Sequence, residues 1–93
     1  MAMLPVVWSQ RARRNYAGIL EALSEKSLDA ALKLDESTEK LIRQISTYPY
    51  SFQAADMNPR FRRCVIAKHY SAVYEVRDKF VYIVSYLDNR QGG

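Results

Sequence analysis

Residues 61–87, FRRCVIAKHYSAVYEVRDKFVYIVSYL, hold the reading that decides the fold. Three runs rich in Val, Ile, Tyr and Phe occupy 61–68, 70–77 and 80–87, separated by one and two residues. Their side chains alternate with a period of two, which predicts three strands joined by tight turns as a meander. Asp78-Lys79 is the two-residue turn between the last two. Tyr70, Ala72, Tyr74 and Val76 fall on one side of their strand, with Val73 opposite. In the last run Phe80, Tyr82, Val84 and Tyr86 share one side, with Val81, Ile83 and Leu87 on the other. That run is apolar on both faces, which places it inside the sheet rather than at an edge.

Upstream the period lengthens. Leu4-Pro5-Val6-Val7-Trp8 reads as a short first strand, with Pro5 acceptable near a strand start or on an edge. Ser9 is the N-cap of a helix over 10–24, in which Ala12, Tyr16, Ile19 or Leu20, and Leu23 recur at three-to-four spacing. Ser27 caps a second helix, and Asp29 sits favourably in its first turn. Leu28, Ala31, Leu34, Thr38, Leu41, Ile42 and Ile45 form one apolar stripe along about 20 residues, a rod of about 30 Å. The short connection folds the two helices into an antiparallel hairpin. Pro49, Asp56, Asn58 and Pro59 then break any period, making 48–60 a connecting loop. The expected fold is α+β, ordered β-α-α-β-β-β, with a helical hairpin packed on one face of a small antiparallel sheet.

Ninety-three residues with seven Tyr, three Phe and one Trp suit one packed domain spanning 1–93. One Cys and one His exclude an intrachain disulfide and the usual transition-metal sites. Cys64 reads as a small core residue, and the reducing cytoplasm is the expected compartment. His69 reads as a turn residue, and its odd separation from Cys64 sets the two on opposite faces, against a nucleophilic pair. Glycine occurs at Gly18 and at Gly92-Gly93, so no glycine-rich phosphate loop exists and no cofactor is expected. The apolar run Met3–Trp8 is too short for a membrane span or a signal peptide, and no membrane association is expected.

Net charge is +4, and its distribution is uneven. Arg11, Arg13 and Arg14 make the start basic, residues 21–40 are net acidic, and the half after Tyr48 is basic again. Arg60, Arg62 and Arg63 cluster at the start of the second strand, and Arg90 follows the last. Arg62 and Arg63 must point to opposite faces. Phe61, Tyr70, Tyr82 and Tyr86 interleave with these cations, a combination suited to RNA, phosphate or an acidic peptide.

The order of elements and several local strings resemble the RelE/ParE superfamily, the toxic half of bacterial type II toxin–antitoxin pairs. The resemblance spans Val6 to Gln91. It rests on Val7-Trp8-Ser9 followed by Ala12, on Tyr48-Pro49 after the helix hairpin, and on Arg62-Arg63-Cys64-Val65-Ile66 in the second strand. Lys68-His69-Tyr70 with Val73-Tyr74, and the ending Asp88-Asn89-Arg90-Gln91, complete it.

The resemblance implies a toxin neutralised by a cognate antitoxin, with two possible activities. RelE-like members cleave mRNA in the ribosomal A site, and ParE-like members inhibit DNA gyrase without a catalytic set. Under the nuclease reading Arg62, Arg63, His69 and Arg90 are the candidate catalytic residues. However, Ser71 and Cys64 stand where the nuclease branch carries basic residues, and no Tyr follows Arg90. The ParE-like, plasmid-stabilisation reading is therefore preferred over the endoribonuclease. A non-toxic relic that still binds antitoxin is a third reading, and a homodimer is compatible with all three. Arg11, Arg13, Arg14, Arg60, Arg62, Arg63 and Arg90 are the expected contacts for antitoxin or target, suiting an acidic amphipathic segment. Arg90 is expected to converge with Arg62 or Arg63 on one anionic group, or else to pair with Asp88, Asp56 or Glu75.

Overall fold

The computed structural model describes residues 3–55 and 58–90. Asp56, Gln91 and Gly92-Gly93, named above, lie outside them. The elements run β1 (Val6–Trp8), α1 (Gln10–Lys26), α2 (Leu28–Thr47), β2 (Phe61–Ala67), β3 (Tyr70–Val76) and β4 (Val81–Asp88). This is the expected α+β order. The strands form one sheet in the order β1-β4-β3-β2, so β4 is interior, as its two apolar faces require.

One pair departs from the expected antiparallel sheet. β2–β3 and β3–β4 are antiparallel, but β1 lies parallel to β4. A three-strand meander sends its first and third strands the same way, and parallel neighbours need a long crossover. The hairpin and the 48–60 connection supply it.

Capping sets the helix bounds. Ser9 Oγ accepts from Ala12 N–H at 2.9 Å. Ser27 closes α1, donating its N–H to the Leu23 carbonyl, and opens α2 by accepting from Ala30 N–H. One shared residue is the whole interhelical break, and α1 therefore runs two residues past the expected end. Ala31, Leu34, Thr38, Leu41 and Ile45 of the α2 stripe are buried. Leu28, at the hairpin turn, leaves the stripe and is 63% exposed.

The register of β4 corrects the expected faces. Tyr74 pairs with Ile83 and Val73 with Ser85, so Val84 is an extra residue, a β-bulge. Before it, Tyr82 lies opposite Glu75 on the face away from the helices. After it the phase flips, and Tyr86 lies opposite Ala72 on the helix face, 1% exposed. Tyr82 and Tyr86 thus do not share a side. Strict alternation misread the strand because a bulge shifts every later side chain to the other face. Tyr70, also on the helix face, is buried, with the Arg90 guanidinium 5.5 Å from its ring centre.

Where the bulge interrupts the ladder, neighbouring polar groups complete the pairing. Ser9 Oγ donates to the Val84 carbonyl at 2.8 Å, and Asn15 Oδ1 accepts from Tyr86 N–H at 3.3 Å. The Tyr86 ring packs 4.5 Å from Tyr16 and 6.1 Å from Trp8, while Trp8 stacks on Tyr16 at 5.3 Å. Its hydroxyl lies 2.7 Å from Thr38 Oγ1, and Tyr16 donates to Asp35. Burial pushes the Tyr16, Tyr74 and Tyr86 phenols above the ordinary tyrosine value, keeping them protonated.

Two substitutions test this account in urea unfolding. Ser9→Ala removes both the cap and the partner of the bulge carbonyl, and should destabilise by about 1–2 kcal/mol. A Cβ on Gly18 meets nothing within 4 Å. Gly18→Ala in the middle of α1 should therefore stabilise by up to about 1 kcal/mol.

Candidate functional site

The basic residues at the start of β2 split between the two faces, as strand alternation requires. Arg62, opposite Tyr74, lies on the helix side. Its Nη1 donates to the Phe52 carbonyl at 2.5 Å, and the guanidinium lies 5.0 Å from the Tyr50 ring centre. Arg63, opposite Val73, lies on the other face and donates to Asn89 Oδ1 at 2.9 Å. Arg60 pairs with Glu75 at 3.3 Å, and Arg77 pairs with the same carboxylate at 2.8 Å. The Arg77 guanidinium also covers Tyr82 at 4.4 Å.

A second cluster forms where β4 ends. Arg90 grips Asp88 with Nε and Nη2, each at 3.1 Å, and its Nη2 also donates to the Tyr70 hydroxyl at 2.9 Å. The hydrogen bond from Arg90 holds the Asp88 carboxyl below the usual carboxylate range and raises the guanidinium in turn. Gly18, Ala22 and Lys26 of α1 face Tyr70, Asp88 and Arg90 across an open cleft of about 550 Å³. Two cations therefore border it.

Arg90 takes the surface pairing with Asp88. Arg62 is apart from it, because their partners Tyr74 and Tyr70 stand four residues along β3, about 13 Å. Arg63 reaches the same corner from the opposite face, through Asn89. His69 lies in the β2–β3 turn, where its carbonyl accepts from Asn89 N–H at 2.7 Å. Arg11, Arg13 and Arg14 are exposed on α1.

Ser71 and Cys64 are sealed. Ser71 is fully buried, with its hydroxyl on Asn89 Oδ1 at 3.0 Å. Cys64 is 1% exposed, and burial pushes its thiol up to about 12, far from the thiolate that nucleophilic chemistry needs. Among the described residues no three His, Cys, Asp or Glu side chains gather as a metal site, and no helix is long and apolar enough to cross a membrane. Sequence reasoning missed Asn89, whose side-chain Oδ1 accepts from Arg63 and Ser71 while its backbone N–H donates to the His69 carbonyl. Its one signal was a polar Asp-Asn-Arg string directly after a buried strand.

This geometry can be set beside known proteins. The family model of the ParE toxin of the type II toxin–antitoxin system parDE matches residues 6–91. Among solved structures, a chain of the chromosomal ParDE TA system from P. aeruginosa superposes with a TM-score of 0.77 at 16% sequence identity. The match covers 92% of this chain and 96% of that one, and at such identity it speaks for the fold. No curated protein sequence matches.

Two measurements probe the clusters. The native Cys64 thiol should not react with Ellman's reagent, and one equivalent should appear on unfolding in urea. Because the folded Asp88 value lies below the unfolded one of about 3.9, its clamp contributes fully above about pH 4. That contribution is lost as pH falls through the lowered value. In Arg90→Ala the Asp88 carboxyl should titrate closer to its ordinary value by carbon-detected NMR.

Proposed function

From the premise that this chain belongs to the ParE toxin family of type II toxin–antitoxin systems, we propose that it poisons DNA gyrase by binding and is neutralised by a cognate antitoxin. The observation that carries the non-nuclease reading is the state of Ser71 and Cys64. Cleavage by general acid–base catalysis needs titratable groups within reach of the substrate. Both positions at which a nuclease of the superfamily would carry a cation hold small, buried side chains. Of the remaining candidates Arg63, His69 and Arg90 share the corner at Asn89, but Arg62 stands apart from it and Arg90 is committed to Asp88.

The antitoxin reading is supported by where unpaired basic charge lies. Arg11, Arg13 and Arg14 are exposed and, among the described residues, make no ion pair. Arg60 shares Glu75 with Arg77, leaving a net positive patch. Such surfaces favour an acidic amphipathic segment, with charge setting the association rate. The cytoplasm, where gyrase and a newly made antitoxin meet, is the compartment this function needs.

Purified chain should inhibit gyrase supercoiling while leaving a translation extract and its mRNA intact. Ribosome-dependent mRNA cleavage, or gyrase unaffected at saturating protein, would defeat the proposal. Arg13→Glu combined with Arg60→Glu should weaken antitoxin binding about tenfold or more and flatten its salt dependence. Both sites are exposed, so the melting temperature should hold.

A further inference from the structure

Gln10, Arg14, Ala17, Gly18, Glu21 and Glu25 form one stripe on α1, recurring at three- and four-residue steps, and every one is exposed. The stripe has an order. Arg14 lies on the N-terminal side, two small residues occupy the middle, and two glutamates follow. Arg14 and Glu21 are seven residues apart, about 10.5 Å along the axis, too far to neutralise each other. Neither forms an ion pair among the described residues.

We propose that this stripe docks antiparallel on the same stripe of a second copy of this chain, about a two-fold axis between Ala17 and Gly18. In that arrangement Arg14 of each copy meets the partner's Glu21, and Gln10 meets the partner's Glu25. A two-fold interface requires such self-complementarity. A parallel arrangement sets Arg14 against Arg14 and Glu21 against Glu21, which like-charge repulsion rejects. At the axis the space above Gly18 is open, so the backbones approach to the 8–10 Å of packed helices.

Apolar surface lies beside the stripe. Leu28 and Leu32 of α2 are 63% and 60% exposed, and a furrow between the helices is lined by Leu20, Glu21, Ser24 and Leu32. The antiparallel pairing sets this end of one hairpin beside the basic end of the other. The aliphatic stem of the partner's Arg13 covers the leucines there, and its guanidinium meets the acidic rim at Asp35. The inference is independent of the gyrase reading.

Sedimentation velocity across a concentration series of the purified chain, without antitoxin, is the test. The wild-type mass should rise from 10.8 kDa towards twice that value. Arg14→Glu and Glu21→Arg should each remain at monomer mass with unchanged circular dichroism. The double variant carrying both changes should associate again, because the swap recreates both ion pairs. A wild-type chain that stays monomeric overturns the proposal. So do single variants that associate like the wild type, which would locate the interface elsewhere, and a folded double variant that does not recover. Loss of binding to an acidic antitoxin peptide in Arg14→Glu, with no change in mass, would assign the stripe to that partner and overturn it equally.

Discussion

Tyr86 touches the first strand, both helices and the third strand, and it can do so because β4 carries one extra residue at Val84. Without the bulge Tyr86 would continue the phase of Tyr82 and face away from the helices. With it, the phenol enters the core and ends on Thr38, whose hydroxyl also donates to Leu34 in its own helix. A buried hydroxyl left unpaired costs about 1–3 kcal/mol, so Tyr86 and Thr38 need each other. The same bulge fixes the start of α1, since Ser9 caps that helix while holding the Val84 carbonyl. Sheet phase, helix start and core filling are thus one constraint.

The constraint reaches the charged corner of the sheet. Because the phase flips at Val84, Asp88 falls on the helix face opposite Tyr70, where Arg90 binds both. Asn89 turns the other way and collects Arg63 and Ser71. Consecutive residues after β4 therefore serve opposite faces. The cations of this corner are held in fixed positions by hydrogen bonds, which suits recognition of a partner surface more than proton transfer. The cleft beside it is bordered by Lys26 and Arg90, and the carboxylate that lines it, Asp88, is held by Arg90.

Charge is segregated along the hairpin in a way its packing does not require. The inner faces of α1 and α2 are closed by Ala12, Leu34, Leu41 and Ile45. The outer surface is left to solvated side chains whose order changes nothing in the core. Basic residues nonetheless gather at the start of α1 and acidic ones around the hairpin turn. Surface charge contributes little to stability, whereas its arrangement governs which surfaces meet and how fast.

The element order was legible in the sequence because each element obeys a local rule. Ser9 and Ser27 cap, Pro49 breaks, and the switch from a period near 3.6 to a period of two marks the passage from hairpin to meander. The opposition of Arg62 and Arg63 also followed from local geometry alone, and so did the interior position of β4. What tertiary structure decided lies where distant residues meet. The bulge at Val84 leaves no mark in the alternation of apolar residues, so Tyr82 and Tyr86 looked equivalent. The parallel β1–β4 pair depends on a crossover of more than fifty residues. Asn89 joins residues 18 and 26 positions away through single hydrogen bonds. Periodicity describes how a segment meets a surface, and it carries no record of which distant residue completes the contact.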